Sequence, residues 1–550
     1  IGASGVVQTV GGIPFFSDSS NNSLYTHDVS GTDNTAQNNT AYGFAAMDAI
    51  TTGDHNIAIG KESLSANTTG ASNISIGVQA NFGADTESNN LSIGQAALGS
   101  SVAGGEYNVA IGNLSLDALT SADENIAIGY QAGSALTTGA SNVFIGNNSA
   151  QTGVVTGANN IGIGPTTTQK LTSGANNIGI GANALQDLTE GVDNTVLGYT
   201  AAKELTTASY NTILGADAVD TGVLTGNLNT VVGFQAARAL TSAVENVIIG
   251  ASAGVSLTTG GYHTLIGRQA GDGFDTENHN MAIGVSALGG PVNGGEYNVA
   301  VGSYSLDALT SGDQSVAIGY EAGSDTTTGR VLAVGYRAAK GNTTGGGIVA
   351  VGDSAYLAAD TENYNLAIGQ ESMGGSVAGG EYNTAVGHFT LDALTSADFV
   401  TAVGYQAGSA ITSGGYNTLL GHQSGDAITS GNTNTAVGHA SLGTNTVGDR
   451  NTAVGSGALS QFNPDSNTDD NNTAVGYGAG NRITTGVHNI AVGGGALGGD
   501  PGPTTENHNL AIGVNSMAGN IDGGEQNVAV GNHTLDALTS ADANTVLGYN

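Results

Sequence analysis

The chain has 550 residues, including 90 glycines and 6 prolines, and it contains no cysteine and no tryptophan. Asp and Glu number 45 against 10 Lys and Arg, which gives a formal charge of −35. This charge excludes nucleic acid as an expected partner, because phosphate binding needs clustered cations. The lack of cysteine excludes disulfides and thiolate metal sites, and without a run of about 18 apolar residues we expect no membrane insertion in this segment.

The first 38 residues (1–38) have no internal period and contain the apolar segment Ile13-Pro14-Phe15-Phe16. We expect this segment to be an N-terminal cap on the rest of the chain, or a junction with a preceding domain, since stacked repeats need a covered end. The chain begins at Ile1 rather than at a methionine. We therefore expect a leader or an upstream region to precede it.

Residues 39–550 are built from one short motif, Asn-x-Ala-Val/Ile-Gly, as at Asn56 to Gly60 and Asn451 to Gly455. About thirty such glycines close the motif, and most are 17 residues apart. A period this constant predicts stacked turns in register, which is the sequence signature of an all-β solenoid. At about 4.8 Å for each turn, the stack would be on the order of 140 Å long.

Alternation along the short strand of each turn predicts which side chains face inward. We expect the aliphatic residue before the glycine, such as Ile59, to point into the core and Ala58 to point the opposite way. In the following segment Ala132 and Leu136 are predicted to be buried. Few large apolar residues remain for each core, so we expect chains to associate through the alanine face, with three-fold closure.

The motif asparagine and the motif glycine each have a predicted structural role. Asparagines stacked one turn apart can join into a ladder of amide hydrogen bonds, and the sequence favours this role over ligand binding. The glycine column indicates a positive backbone angle or a close approach of two strands. The representative ladder residues are Asn56, Asn73, Asn125, Asn142, Asn451 and Asn489.

The segment Asn472 to Gly480 reads Asn-Thr-Ala-Val-Gly-Tyr-Gly-Ala-Gly. It resembles the head repeat of trimeric autotransporter adhesins, a left-handed parallel β-roll, and the related repeats of bacteriophage tail-fibre proteins. The resemblance extends over residues 39–550. It implies an extracellular homotrimeric fibre on a bacterial surface or a virion tail, joined to an adjoining tail or cell-anchor protein, which presents binding surfaces to a host glycan or receptor.

Two other functions remain open from the residues themselves. One is a monomeric β-solenoid that binds ice or polysaccharide through a flat Thr and Asn face. The other is a tail spike that degrades glycans. Serine nucleophile motifs, paired catalytic carboxylates and phosphate-binding loops do not stand out, so the sequence predicts a protein that is not an enzyme and needs no cofactor.

Three groups of side chains are candidates for binding. Exposed aromatic residues after the motif glycine could stack on sugar rings or cover apolar surface; they are Tyr130, Tyr199, Tyr320, Tyr405 and Tyr477. An inserted loop, 461–471, should project and could ligate Ca²⁺ through Asp465, Asp469 and Asp470, or be an ordinary solvated loop. His422 and His439 lie one turn apart and are weak candidates for a metal site.

A block of 45 residues recurs at 85–129, 275–319, 360–404 and 504–548. Each block carries a Gly-Gly-Glu loop, as at Gly379 to Glu381, in a turn that is one residue longer than most. Segmental duplication explains this pattern most simply. Repeated receptor-binding loops are the alternative.

Overall fold

The computed structural model describes residues 6–10, 13–18, 21–26, 35–100, 105–466, 469–498, 505–519 and 523–550. By their internal contacts, residues 1–276 form one compact unit (unit 1) and residues 277–550 form another (unit 2). The described residues form strands, turns and bends, and none of them is helical. The predicted all-β class is therefore confirmed.

Almost every strand has three residues. The strands of unit 1 are β1 (Val6–Val10), β2 (Ile13–Asp18), β3 (Ser23–Tyr25), β4 (Thr40–Tyr42), β5 (Ile57–Ile59), β6 (Ile74–Ile76), β7 (Leu91–Ile93), β8 (Val109–Ile111), β9 (Ile126–Ile128), β10 (Val143–Ile145), β11 (Ile161–Ile163), β12 (Ile178–Ile180), β13 (Thr195–Leu197), β14 (Thr212–Leu214), β15 (Thr230–Val232), β16 (Val247–Ile249) and β17 (Thr264–Ile266).

The strands of unit 2 are β18 (Met281–Ile283), β19 (Val299–Val301), β20 (Val316–Ile318), β21 (Val331–Val334), β22 (Ile348–Val351), β23 (Leu366–Ile368), β24 (Thr384–Val386), β25 (Thr401–Val403), β26 (Thr418–Leu420), β27 (Thr435–Val437), β28 (Thr452–Val454), β29 (Thr473–Val475), β30 (Ile490–Val492), β31 (Leu510–Ile512), β32 (Val528–Val530) and β33 (Thr545–Leu547).

Each unit is a parallel β-solenoid. In unit 1, β1, β2 and β3 pair antiparallel, and from β3 onward each strand pairs in parallel with the next. In unit 2 the same parallel pairing joins β18 to β33 in order. Equivalent motif positions lie opposite each other, for example Ala58 and Ser75. The predicted solenoid of stacked turns, about 17 residues each, is confirmed.

The predicted inward and outward faces of the strand are wrong. In β5 the central Ala58 is fully buried, whereas Ile57 and Ile59 are exposed by 37% and 39%. The same burial pattern recurs in the repeat strands of both units. The alanine face is therefore the core, and it is not available for association between chains.

The reason for this reversal lies in the segment that follows the glycine. Residues four and seven positions after the glycine fill the interior, as Leu116 and Leu119 do with complete burial. A Cβ added at Gly179, in the central strand position, would lie 3.3 Å from the Leu185 side chain. Only a small central residue fits beside such a leucine, because protein interiors are close-packed.

Turns with a large central strand residue confirm that this position and the position four residues after the glycine share one volume. Phe144 occupies the central position of β10, and the residue four after the glycine in that turn is Ala150. Leu265 likewise occupies the centre of β17, and Gly271 stands where other turns have leucine. Ala132 and Leu136, predicted to be core residues, are completely buried.

The motif glycine meets both of its predicted requirements. Gly60 has a φ of 132°, which L side chains rarely adopt. A Cβ at this position would also lie 2.3 Å from the carbonyl oxygen of Gly77 in the next turn. Glycine is thus required both by the backbone angle and by the approach of neighbouring turns.

The asparagines form a continuous buried ladder over most turns. The backbone N–H of Asn73 donates to Asn56 Oδ1 at 2.9 Å, and Asn73 Nδ2 donates to the carbonyl of Glu87 at 2.8 Å. Asn73 Oδ1 accepts from the Asn90 N–H at 3.0 Å, so one side chain both donates to and accepts from the backbone of the following turn. The six representative residues Asn56, Asn73, Asn125, Asn142, Asn451 and Asn489 are all buried.

Strands β2 and β3 contribute aromatic rings to a hydrophobic cluster of unit 1. Tyr25 in β3 is buried and clusters with Ala41 and Met47, and Phe16 of β2 packs against this cluster. The expectation that residues 1–38 form a cap or a junction stays a prediction.

Candidate functional site

The outward strand positions form uncharged rows in both units. The first and third residues of the three-residue strands are Ile, Val, Leu or Thr in almost every turn, and none is charged from β4 to β33. Many of the aliphatic members expose more than a third of their surface, including Ile74, Ile128 and Leu197 in unit 1 and Ile318, Val403 and Val475 in unit 2. Contiguous exposed apolar rows of this length are rare on a protein that remains monomeric.

The five candidate tyrosines are all exposed, but they do not gather into one site. They lie in separate turns at the position after the glycine, with exposed fractions that range from 40% for Tyr320 to 78% for Tyr477. Tyr320 stacks on Tyr336, with ring centroids 5.6 Å apart. Stacking within the column covers ring faces that a sugar would need, so only some members remain available.

His422 and His439 stack on each other rather than converging on a point. Their ring centroids are 5.2 Å apart with an interplanar angle of 25°, and Tyr405 stacks on the other face of His422 at 5.2 Å. Among the described residues, no group of three or more His, Cys, Asp and Glu side chains is placed to hold a metal ion. The geometry of this pair is that of a stacked ring column.

The acidic side chains of the 461–471 loop point to different partners. Asp470 is completely buried, and its Oδ2 accepts from the backbone N–H of Asp449 at 2.9 Å. Asp469 forms an exposed ion pair with Arg450, and Asp465 is exposed to solvent. Residues 467 and 468 of this loop lie outside the described residues. The three carboxylates thus have separate roles among the residues described.

A second aromatic column precedes the ladder asparagine. Its longest run joins Tyr364, Tyr382, Phe399 and Tyr416, whose ring centroids are 5.1, 5.3 and 5.1 Å apart in order. These residues have positive φ angles, near 57° for Tyr382. The recurring Glu-Tyr-Asn sequence of the repeated blocks places a tyrosine just before the ladder asparagine, so this column could have been predicted from the sequence.

The repeated Gly-Gly-Glu loops are held by hydrogen bonds within the block. The buried Glu362 accepts from the backbone N–H groups of Asp360 and Thr361 and, through its other oxygen, from Gly379 in the next turn at 2.8 Å. Glu381 in turn accepts from Asn363 Nδ2 at 2.9 Å. These contacts explain why the acidic residues recur together, and they give the loops a structural role.

The described part of unit 2 contains a groove of about 330 Å³ beside two of the aromatic residues. Tyr304 and Tyr320 form adjacent walls, with ring centroids 6.0 Å apart and planes inclined by 85°. The remaining lining includes the carboxylates Asp307 and Asp325 and the Lys340 ammonium. Of the five candidate tyrosines, only Tyr320 lines this groove.

An ion-pair network fixes one side of the groove. Glu321 Oε2 contacts Arg337 Nε at 2.9 Å and also pairs with Lys340 Nζ. The hydrogen bond from Lys340 is the main cause that lowers the pKa of Glu321, and the hydroxyl of Tyr320 also bonds to this carboxylate. Arg337 lies 5.0 Å from the centre of the Tyr336 ring. Four side chains are thereby held in place around Glu321.

The other side of the groove contains a partly buried carboxyl group. The pKa of Asp307 is raised from 3.8 to about 6, mainly by burial and in smaller part by the nearby charges of Asp325 and Glu321, while a backbone hydrogen bond and Lys340 oppose the rise. The same position, five residues after the glycine, holds other acids whose pKa is raised by burial. These are Asp117, Asp272, Asp392 and Asp426.

The raised pKa of Asp307 predicts a dependence of stability on pH. The folded state binds the proton more tightly than the unfolded state, so the free energy of unfolding should fall as pH rises from about 4 to about 6. We expect Asp307→Asn to raise the melting temperature at pH 8 and to have little effect at pH 4. Melting curves of both proteins at the two pH values test this.

The matched control for that measurement is Asp193→Asn, since Asp193 is exposed and Asn tolerates its φ of 57°. Its melting temperature should track the wild type at both pH values. An Asp307→Asn variant whose melting temperature differs from the wild type equally at pH 4 and pH 8 would contradict the assignment.

No protein-family model matches this chain, and no curated protein matches it. None of the described residues forms a helix of the length and apolarity needed to cross a membrane.

Proposed function

We propose that this chain is a non-enzymatic segment of an extracellular attachment fibre in which copies of the chain associate through the outward apolar rows. The observation that carries the proposal is the uncharged Ile, Val, Leu and Thr surface of both units. The remaining surface carries nearly all of the −35 charge. Copies can approach closely only where charge is absent, because interface cores are depleted of charged residues.

Three-fold association is the form that the resemblance to adhesin heads and tail fibres implies. In a closed trimer the rows of one chain would pack against equivalent rows of two others, and isoleucine and valine would leave water along every turn. Removing apolar surface from water contributes about 25 cal/mol per Å². Binding partners would then be a host-cell glycan or receptor, with an adjoining tail or anchor protein, on a virion tail or a bacterial surface.

The mass of the purified protein in solution tests this proposal. We expect light scattering coupled to size-exclusion chromatography to give three times the 54.0 kDa of one chain. The mass should be independent of salt concentration, since the association is apolar rather than ionic. A stable monomer at micromolar concentration would contradict the trimer.

A second candidate function is supported by the composition of one part of unit 2. From β24 to β29 the first outward position is threonine in every strand, and the third is valine or leucine. A regular row of threonines beside aliphatic residues suits binding to ice or to a flat polysaccharide by a monomer. Under this candidate the chain stays monomeric, so the same mass measurement separates the two.

A further inference from the structure

The repeat departs from its pattern around the groove of unit 2. The asparagine ladder is interrupted in three successive turns, where Ser315, Val331 and Ile348 stand at the ladder position. One turn in this region is shorter, with 16 residues between Glu321 and Arg337. Irregular turns inside a regular scaffold are places where function can be added at little cost to the fold.

The charge of the same region is also unusual. Three of the ten Lys and Arg residues of the chain, Arg330, Arg337 and Lys340, lie within it. Two of them pair with Glu321, and with Asp307 and Asp325 included these five groups carry one net negative charge when both aspartates are ionised. A groove with this small negative charge disfavours anions and still accepts an uncharged ligand.

We propose that this groove binds a neutral sugar unit of an oligosaccharide, with Tyr304 as the aromatic wall and Asp325 and Lys340 as partners of the sugar hydroxyls. A pyranose has an apolar C–H face and a rim of hydroxyls, and it fits a groove that offers an aromatic wall beside a few placed polar groups. The biological meaning of this binding rests on the proposed attachment function, whereas its chemistry rests on the groove alone.

The two tyrosines have different roles in this proposal. One face of Tyr320 is covered by Tyr336, and its hydroxyl bonds to Glu321, so Tyr320 and Glu321 position the groove. Tyr304 is exposed by 37% and stands nearly perpendicular to Tyr320. Because these groups are already held by one another, little ordering is needed when a ligand binds.

The polar groups supply both directions of hydrogen bonding. Asp325 accepts from Ser324 Oγ at 3.0 Å and is otherwise open to solvent, so it can accept from sugar hydroxyls. Lys340 has further N–H donors beyond its contact with Glu321. The pKa of Asp307 near 6 lets this carboxyl either donate or accept around that pH.

Saturation-transfer NMR and titration calorimetry on the full chain test the proposal, with maltohexaose, cellohexaose, laminarihexaose and mannohexaose as probes. We expect at least one probe to bind with a Kd below about 1 mM. Tyr304→Ala should weaken that binding at least tenfold. Asp325→Asn, at an exposed position where folding is not at risk, should weaken it several-fold without changing the melting temperature.

Two controls are matched to these variants. Tyr477→Ala removes an exposed tyrosine that is not part of the groove, and Asp193→Asn removes an exposed carboxylate of unit 1. Both should bind as the wild type does. The proposal is overturned if no probe binds, if Tyr304→Ala and Asp325→Asn bind normally, or if a hexagalacturonate probe binds more tightly than every neutral one.

The outcome is distinguishable from the fate of the fibre proposal. A monomeric chain that binds a neutral hexaose through Tyr304 would contradict the fibre and support the groove. A trimeric chain that binds none of the probes would support the fibre and contradict the groove.

Discussion

Replacing Ile128 and Val403 together by aspartate is expected to convert the associated protein into single chains that keep their β-structure. Ile128 lies at an outward strand position of unit 1 and Val403 at one of unit 2. In the single chain they are exposed by 36% and 38%, respectively. If identical chains pack through their outward rows, each substitution would bring one carboxylate from every chain together inside an apolar interface. Burying an unpaired charge costs several kcal/mol, roughly 3 or more at each site.

Light scattering should therefore report the mass of one chain for Ile128→Asp with Val403→Asp, and circular dichroism should be unchanged. The matched control is Val154→Asp with Val223→Asp, because these valines are exposed by 64% and 52% outside the strands. The control should keep the wild-type mass. If the strand variant also keeps the wild-type mass, the outward rows are not the interface.

The sequence period was sufficient to predict the fold class but not which face of the strand is buried. Hydrogen bonding between turns requires a fixed repeat, so spacing alone predicts parallel stacking. Burial depends instead on the volume left inside each turn, where the buried Leu64 leaves room for the small Ala58 at the central strand position. Alternation along a three-residue strand predicts that Ile57 and Ile59 lie on the same face. It does not predict whether that face points into the core or toward solvent.

The groove could be predicted only in part. Tyr320 belongs to a column that the repeat makes visible, and so it was a candidate from the sequence. Tyr304 was not, because it lies two residues after a motif glycine in a segment where residues with positive φ, here 61°, alternate with others. Neither the strand period nor the helix period applies to such a segment. The orientation of Tyr304 and the partial burial of Asp307 therefore could not be predicted from the sequence and are seen only in the structure.

The distribution of asparagine was more predictive than that of the aliphatic residues, because an amide ladder needs one residue type at one position. Where Ser315 interrupts the ladder, its hydroxyl takes over part of the bonding. Ser315 Oγ donates to the Gly329 carbonyl at 3.2 Å and accepts from the Val331 N–H at 3.3 Å. A serine thus supplies the two bonds that link neighbouring turns, with a shorter reach.

Asn177→Ala is expected to destabilise the surrounding turns of unit 1 by about 2 to 5 kcal/mol. Its Oδ1 accepts from the backbone N–H of Asn194 at 3.1 Å, and its Nδ2 donates to the Gly191 carbonyl at 2.8 Å. Alanine leaves the Asn194 N–H buried without that acceptor, and each such group costs about 1 to 3 kcal/mol. Asn177→Ser should cost less, because Ser315 shows that serine can bridge the same gap.

Hydrogen exchange measured by mass spectrometry localises this effect, since repeats contact only their neighbours and can open locally. Peptides that cover the turns on either side of Asn177 should lose protection in Asn177→Ala, in part in Asn177→Ser, and not in Asn147→Ala, whose side chain is exposed. Protection should be unchanged in distant turns of the same unit. Equal protection in Asn177→Ala and Asn147→Ala would show that packing of the alanine core, rather than the amide ladder, holds successive turns together.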